Sequence, residues 1–282
     1  MSARFHLTHI IPSERLHIFR GYAEIIETVQ WGLANLGFDV TYAVNRFQPG
    51  AVNVVFGAQM LGASTLETFP KDTIVYNLEQ MAGLGGDAVP PGLRYCAANF
   101  AVWDYSEFNL PTWSALGPRV PVKHVPVGYA PVLTRIASAP DQDIDALFYG
   151  GPGGNRLRIF HDLCHKLVRT VFVHGLYGAA RDGLIARSKL VLNINQYART
   201  SVFEIARVSY LLANRKAVIS DFGPGSKLEP DIGSALLLVP TEALVDECVR
   251  LLGDDVRRRR IEEAGFEFIR RRDIRAILSA AL

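Results

Sequence analysis

From end to end, short apolar runs alternate with amphipathic stretches of helical period, and that alternation restricts the chain to a parallel α/β architecture. In the first half, "FHLTHII" (5–11) reads as a strand, and "HIFRGYAEIIETVQWGLANLG" (17–37) repeats apolar residues at helical spacing and stops at Gly37. "FDVTYAV" (38–44), "VNVVFGA" (52–58), "DTIVYNLE" (72–79), "FAVWDYS" (100–106) and "KHVPVGY" (123–129) read as further strands. The segment "APVLTRIASAPDQD" (130–143) has no periodicity and reads as a connection between domains. The pattern then restarts, with strands expected at 145–150, 170–175, 190–195, 216–221 and 234–239. Helices are expected at 155–169, 179–188 and 202–214. The expectation is two Rossmann-like domains, 1–130 and 131–282, facing across a cleft, with the C-terminal helix free to pack back on the first. Open parallel sheets bind ligands beyond the carboxyl ends of their strands, which wall such a cleft.

Length and composition agree with this. The 282 residues suit two domains on a prior of about 150 residues each. With 49% hydrophobic and 21% charged residues, the chain can bury a large core and global disorder is excluded. A net charge of +2 does not point to nucleic acid. The three cysteines, Cys96, Cys164 and Cys248, are scattered without metal-ligand spacing and fit reduced thiols, so a cytoplasmic location is expected. No apolar run approaches the ~18 residues that span a bilayer, and the N-terminus has no secretory apolar segment.

The stretch "ALFYGGPGGNRLR" opens the second half. A strand running through glycines into a helix leaves backbone N–H groups free where the helix dipole favours an anion. Gly151, Gly153 and Gly154 let an anion approach, and Asn155, Arg156 and Arg158 offer side-chain donors. A tight turn without a ligand fits the same residues. The dinucleotide fingerprint fails, since the third glycine counted from Gly151 falls at Arg156, and no Gly-Lys-Ser/Thr follows for a Walker loop. In "RTSVFEIARVSYLLANRKAVISD", Glu204 begins a helix near the cleft rim. There it is either simply stabilised by the helix N-terminus or placed to accept two sugar hydroxyls. Arg207, one turn on, can hold Glu204 or a phosphate. The polar loop with Asn193, Asn195, Gln196 and Tyr197 suits hydroxyl-rich ligands or ordinary turn chemistry. Tyr177 flanks a nucleobase or covers the core edge.

In the first half, Glu79 and Asp104 end strands and are candidates for a general base, against the reading of solvated loop carboxylates. His17 opens the first long helix, as a cleft residue or a capping one. "DQDID" (141–145) precedes a strand rather than following one, so it reads as a solvated linker end and not a metal site. The arginine-rich run at 254–275 reads as a solvated helix face or, through residues 257–275, as a peripheral contact with an anionic membrane.

Taken in order, these pieces resemble glycosyltransferases of the GT-B fold. "GYAEIIETVQWGLANLGFDVTYAV" resembles the family's first long helix and second strand, and "FAVWDYSEFNL … VKHVPVGYAP" its passage into the donor domain. "DALFYGGPGGNRLR" is similar to its donor-phosphate loop, and "FEIARVSYLLANRKAVIS" to its acidic helix followed by "LA.G.PVV". The resemblance implies a nucleotide-sugar donor held in the second domain at Gly151 to Arg156, Tyr177 and Glu204. It implies an acceptor and base from the first domain and no metal. The acceptor would be a glycan, a lipid-linked molecule or a protein. Where many retaining members carry a pair of glutamates, this chain has Glu204 alone, with Tyr210 in the later position, and the second domain is a βα unit short. A catalytically silent partner subunit with the same shell is the alternative.

Overall fold

A computed structural model describes residues 3–12, 20–195 and 202–282. The chain divides into two compact units, Met1–Val132 with Arg272–Leu282, and Leu133–Arg271.

The first unit contains strands β1 (Arg4–His9), β2 (Asp39–Val44), β3 (Val52–Phe56), β4 (Ile74–Asn77), β5 (Ala101–Asp104) and β6 (Lys123–His124). They form one sheet in the order β2-β1-β3-β4-β5-β6, and every pairing is parallel. β1 is buried over five of its six residues, as a central strand covered on both faces must be. Helix α1 (Ala23–Asn35) follows a 3₁₀ turn at Arg20–Tyr22. Three shorter helices lie in the connections from β3 to β6: α2 (Ala63–Leu66), α3 (Pro91–Asn99) and α4 (Leu110–Ala115). The strand expected at 123–129 joins the sheet only over Lys123–His124, and Tyr129 makes an isolated bridge to Asp273. Beyond His124, Val125 N–H bonds the Asp104 carbonyl (2.8 Å) and the Val125 carbonyl accepts from the Tyr76 hydroxyl (2.6 Å).

The second unit has β7 (Ile144–Tyr149), β8 (Thr170–Val173), β9 (Ser188–Asn193), β10 (Ala217–Phe222) and β11 (Leu237–Pro240), all parallel, in the order β11-β10-β9-β7-β8. Its helices are α5 (Asn155–His165), α6 (Ala179–Arg187), α7 (Ile205–Ala213), α8 (Leu244–Leu252) and α9 (Asp255–Arg270). Leu190, Val191 and Leu192 on β9 are all but fully buried, each worth about 1.5–3 kcal/mol relative to exposure. In the segment expected to connect the domains, the chain passes from one unit to the other at Val132–Leu133 and is then laid onto the second. Asn214, itself buried, accepts from Arg135 N–H (2.8 Å) and Ile136 N–H (2.7 Å) and donates to the Leu133 carbonyl (2.9 Å).

Helix α10 (Ile274–Ala281) belongs to the first unit, although it follows the second in sequence. It lies so close to α1 that a Cβ on Gly32 would fall 2.7 Å from Leu278 Cδ1. Tyr129 N–H bonds the Arg272 carbonyl (2.7 Å), Ile274 N–H bonds the Tyr129 carbonyl (3.1 Å), and Lys123 Nζ caps the helix at the Ala281 carbonyl.

Candidate functional site

In the second unit, the strand order reverses between β7 and β9, the place where open parallel sheets leave a crevice for a ligand. β7 ends in Tyr149 and the glycine loop; β9 ends in Asn193. Arg207, on the first turn of α7, reaches this point. Its guanidinium carbon lies 5.9 Å from the Phe148 ring centre and 5.8 Å from that of Tyr149, and Nη1 is 3.4 Å from Asn193 Oδ1. Nη2 would be 3.5 Å from a Cβ on Gly150, so the cation sits against the loop itself. No described carboxylate pairs with it. Glu204 caps the same helix with its backbone only; its half-buried carboxylate makes no hydrogen bond or ion pair among the described residues. The approach to it is fixed by Val202 and Phe203, which pair with Lys227.

Helices α5 and α6 begin after Gly154 (φ 53°, ψ −137°) and Gly178 (φ 61°, ψ −146°). Only glycine occupies that backbone region readily. Neither helix has a side-chain cap; the Arg156 N–H bonds the Gly153 carbonyl (3.2 Å), while the Asn155 and Ala179 N–H groups, at two neighbouring strand ends, have no acceptor among the described residues. Gly151 and Gly153 leave room above the loop: the Cβ of a residue at 153 would meet nothing within 4 Å. Asn155 is the first residue of α5 and is half-buried. Tyr177, also half-buried, precedes the Gly178 turn.

Arg156 differs from expectation. It is 4% exposed, its Nε donates to the Ile194 carbonyl (2.9 Å), its Nη1 donates to the Gly151 carbonyl (2.9 Å), and it stacks on Phe148. Its fork therefore holds the loop to the end of β9 rather than standing open to phosphate. Asn195 likewise spends its backbone N–H (2.8 Å) and side-chain amide (3.2 Å) on Asp221. Asp221, absent from the sequence-derived candidates, is buried at the end of β10 and also accepts from Thr241 (3.2 Å); burial pushes its carboxyl up. Tyr210 is buried on another side of α7, donating to Asp182 (2.9 Å) and accepting from Arg135 (3.0 Å), so it does not stand in for a second carboxylate at the rim. Gln196, Tyr197 and His17 lie outside the described residues.

The first unit gathers a second set of polar groups at its carboxyl edge. Asp104, expected as a base, has no exposed surface. It accepts from Trp113 Nε1 (2.6 Å), Asn77 Nδ2 (2.7 Å), Ser106 N–H (2.8 Å) and Asn109 Nδ2 (2.9 Å). Burial raises its pKa and these donors oppose the rise. Its lone pairs are occupied, which removes it as a base and makes it an organiser. Through Asn77 and Asn109 it fixes the Glu79 backbone, whose carbonyl accepts from both amides at 3.0 Å and 2.9 Å. The Glu79 carboxylate is held separately: Oε1 accepts from the Tyr22 hydroxyl (2.5 Å) and Gln59 Nε2 (2.9 Å). His9, buried at the end of β1, has its ring 6.3 Å from that of Tyr22. Tyr22, Gln59 and His9 carry no motif, and only their positions after β1 and β3 could have marked them.

No protein-family model matches the sequence, and no curated protein matches it. Solved structures do. Anabaena HepE, solved in complex with UDP and glucose, gives a TM-score of 0.60 at 11% identity, over 98% of this chain and 97% of that one. Sucrose-phosphate synthase from Thermosynechococcus elongatus gives 0.58 at 11% identity, over 99% and 98%. WaaG, a glycosyltransferase involved in lipopolysaccharide biosynthesis, gives 0.55 at 9% identity, over 98% of each chain. At these identities the likeness is one of architecture: this chain has the fold of the GT-B glycosyltransferases.

Proposed function

We propose that the chain is a metal-independent glycosyltransferase, moving a sugar from a nucleotide-sugar donor to an acceptor hydroxyl. The observation that carries this is the pair Glu204 and Arg207. The Arg207 guanidinium stands at the switch point of a parallel sheet, Glu204 lies one turn before it at the start of the same helix, and neither is neutralised by a described residue. Such a pair fits a ligand with hydroxyls at one end and phosphate at the other. The Gly154 and Gly178 helix starts add backbone donors to the phosphate side.

In the reaction, the acceptor oxygen bonds the anomeric carbon as the bond from that carbon to the diphosphate oxygen breaks. The acceptor proton passes to a base, for which Glu79 is the candidate. Arg207 and the helix N-termini stabilise the charge on the departing diphosphate, a role that preorganised donors fill without a metal. Because HepE was solved with UDP and glucose, UDP-glucose is the first donor to test. The acceptor is a glycan, a lipid-linked molecule or a protein hydroxyl. A membrane contact through α9 gains little support: Glu263 and Glu267 share its exposed face with Arg259, Arg260 and Arg270, leaving no one-sign surface.

Release of nucleoside diphosphate from a panel of donors, hydrolysis included, tests the reading. UDP-sugar turnover that falls at least tenfold in Arg207→Ala is expected. Tyr210, buried away from the rim at the position where the resemblance would put a second glutamate, favours a second reading, a silent partner subunit. Nucleotide binding without turnover of any donor would select it.

A further inference from the structure

We infer that Tyr22 and Gln59 are positioning residues that hold the Glu79 carboxylate ionised and in one orientation. This rests on the reading of Glu79 as the base. Gln59 Nε2 donates to both the Tyr22 oxygen (2.8 Å) and Glu79 Oε1 (2.9 Å). Because the tyrosine oxygen already accepts from the amide, its own proton is directed to Glu79 Oε1, at 2.5 Å. Both donors in this three-way ring therefore converge on one carboxylate oxygen. Hydrogen bonds donated to a carboxylate favour its charged form, and a carboxylate accepting two of them loses rotational freedom about its last bond.

The three side chains come from separate places: the 3₁₀ turn before α1, the 3₁₀ turn Ala58–Met60 after β3, and the loop after β4. Beneath them, Asp104 fixes the Glu79 backbone through Asn77 and Asn109. Backbone and side chain of one glutamate are thus held by two independent sets of hydrogen bonds, one buried and one half-buried, an arrangement that suits a preorganised reactive group. The described titratable groups facing Glu79 are Tyr22, His9 beside it on β1, and Asp104 one amide away.

The test titrates the Glu79 carboxyl by carbon-detected NMR in the full chain labelled with glutamate δ-carbon-13, the resonance being assigned by its loss in Glu79→Gln. Tyr22→Phe and Gln59→Leu are each expected to move the midpoint upward by about one pH unit, as losing one hydrogen bond to the charged form requires. With UDP-glucose hydrolysis as the rate probe, the acid limb of kcat is expected to move with it, while KM stays within about twofold. A midpoint unmoved in both variants, with both folded by thermal unfolding, overturns the inference. A shifted midpoint together with full turnover by Glu79→Gln would instead remove Glu79 as the base and leave the positioning intact.

Discussion

Lys216 has no exposed surface, and its ammonium is surrounded by neutral oxygens: Ser138 Oγ (3.2 Å), the Ser188 carbonyl (3.4 Å) and the Ala186 carbonyl (3.5 Å). Burial pulls its pKa down from the usual 10.5 to about 8, with Glu262 opposing the shift and Arg258 adding to it. The unfolded chain therefore binds the more protons between those values, and stability rises with pH across that window. The full benefit is present above 10.5 and lost as pH falls through about 8. On the order of 3 kcal/mol separates the two limits. In urea unfolding, wild type is expected to gain on Lys216→Met between pH 8 and 10, and parallel curves for the two proteins would contradict this. The same side chain anchors Ser138, so the lysine trades stability at neutral pH for a fixed course of the segment entering the second unit.

At the scale of elements, three helices end alike. Each closes on a left-handed residue, Gly37 (φ 88°) after α1, Leu167 (φ 58°) after α5 and Arg215 (φ 49°) after α7. The next N–H then bonds five residues back: Phe38 to Leu33, Val168 to Leu163 and Lys216 to Leu211. Gly37 announces its helix end in the sequence. Leu167 does not, and the amphipathic pattern carries the expected helix to 169 where the structure ends it at His165. Arg215 stands where the resemblance places a glycine, and its strain is offset by stacking 3.6 Å over the Phe266 ring and by Glu263 at 3.3 Å. Helix α9 also approaches at a glycine: a Cβ on Gly265 would lie 2.7 Å from the Ala235 carbonyl oxygen and 2.8 Å from Leu212 Cδ2. Gly265→Ala should therefore lower stability by about 1–3 kcal/mol, read as a lower urea midpoint, and an unchanged midpoint would show that the helix can retreat freely. The site was legible where local pattern decides it. Glu79 follows a strand and Glu204 starts a helix, so spacing alone brings both to a carboxyl edge. The commitments of Arg156 and Asp104 were hidden because their partners are set by tertiary packing. Ile194 lies 38 residues from Arg156, and Asn77 lies 27 from Asp104.

For the molecule as a whole, each unit builds its own sheet and core, and the chain returns to the first unit for its last helix. Each sheet also has its own switch point with polar groups gathered there: Tyr22, Gln59 and Glu79 in one, Glu204 and Arg207 in the other. The first unit thus holds a carboxylate in a fixed orientation, and the second carries a carboxylate and a guanidinium that no described residue neutralises. Binding of a nucleotide-sugar donor by Glu204 and Arg207 is the proposal on which the rest depends, and titration calorimetry with UDP on wild type, Glu204→Gln and Arg207→Ala is its test. Saturable binding by wild type is expected, with affinities roughly ten- to a hundredfold weaker in each variant, as lost charge-assisted hydrogen bonds dictate. Equal affinity in all three proteins, or no binding of any nucleoside diphosphate by folded wild type, would contradict it.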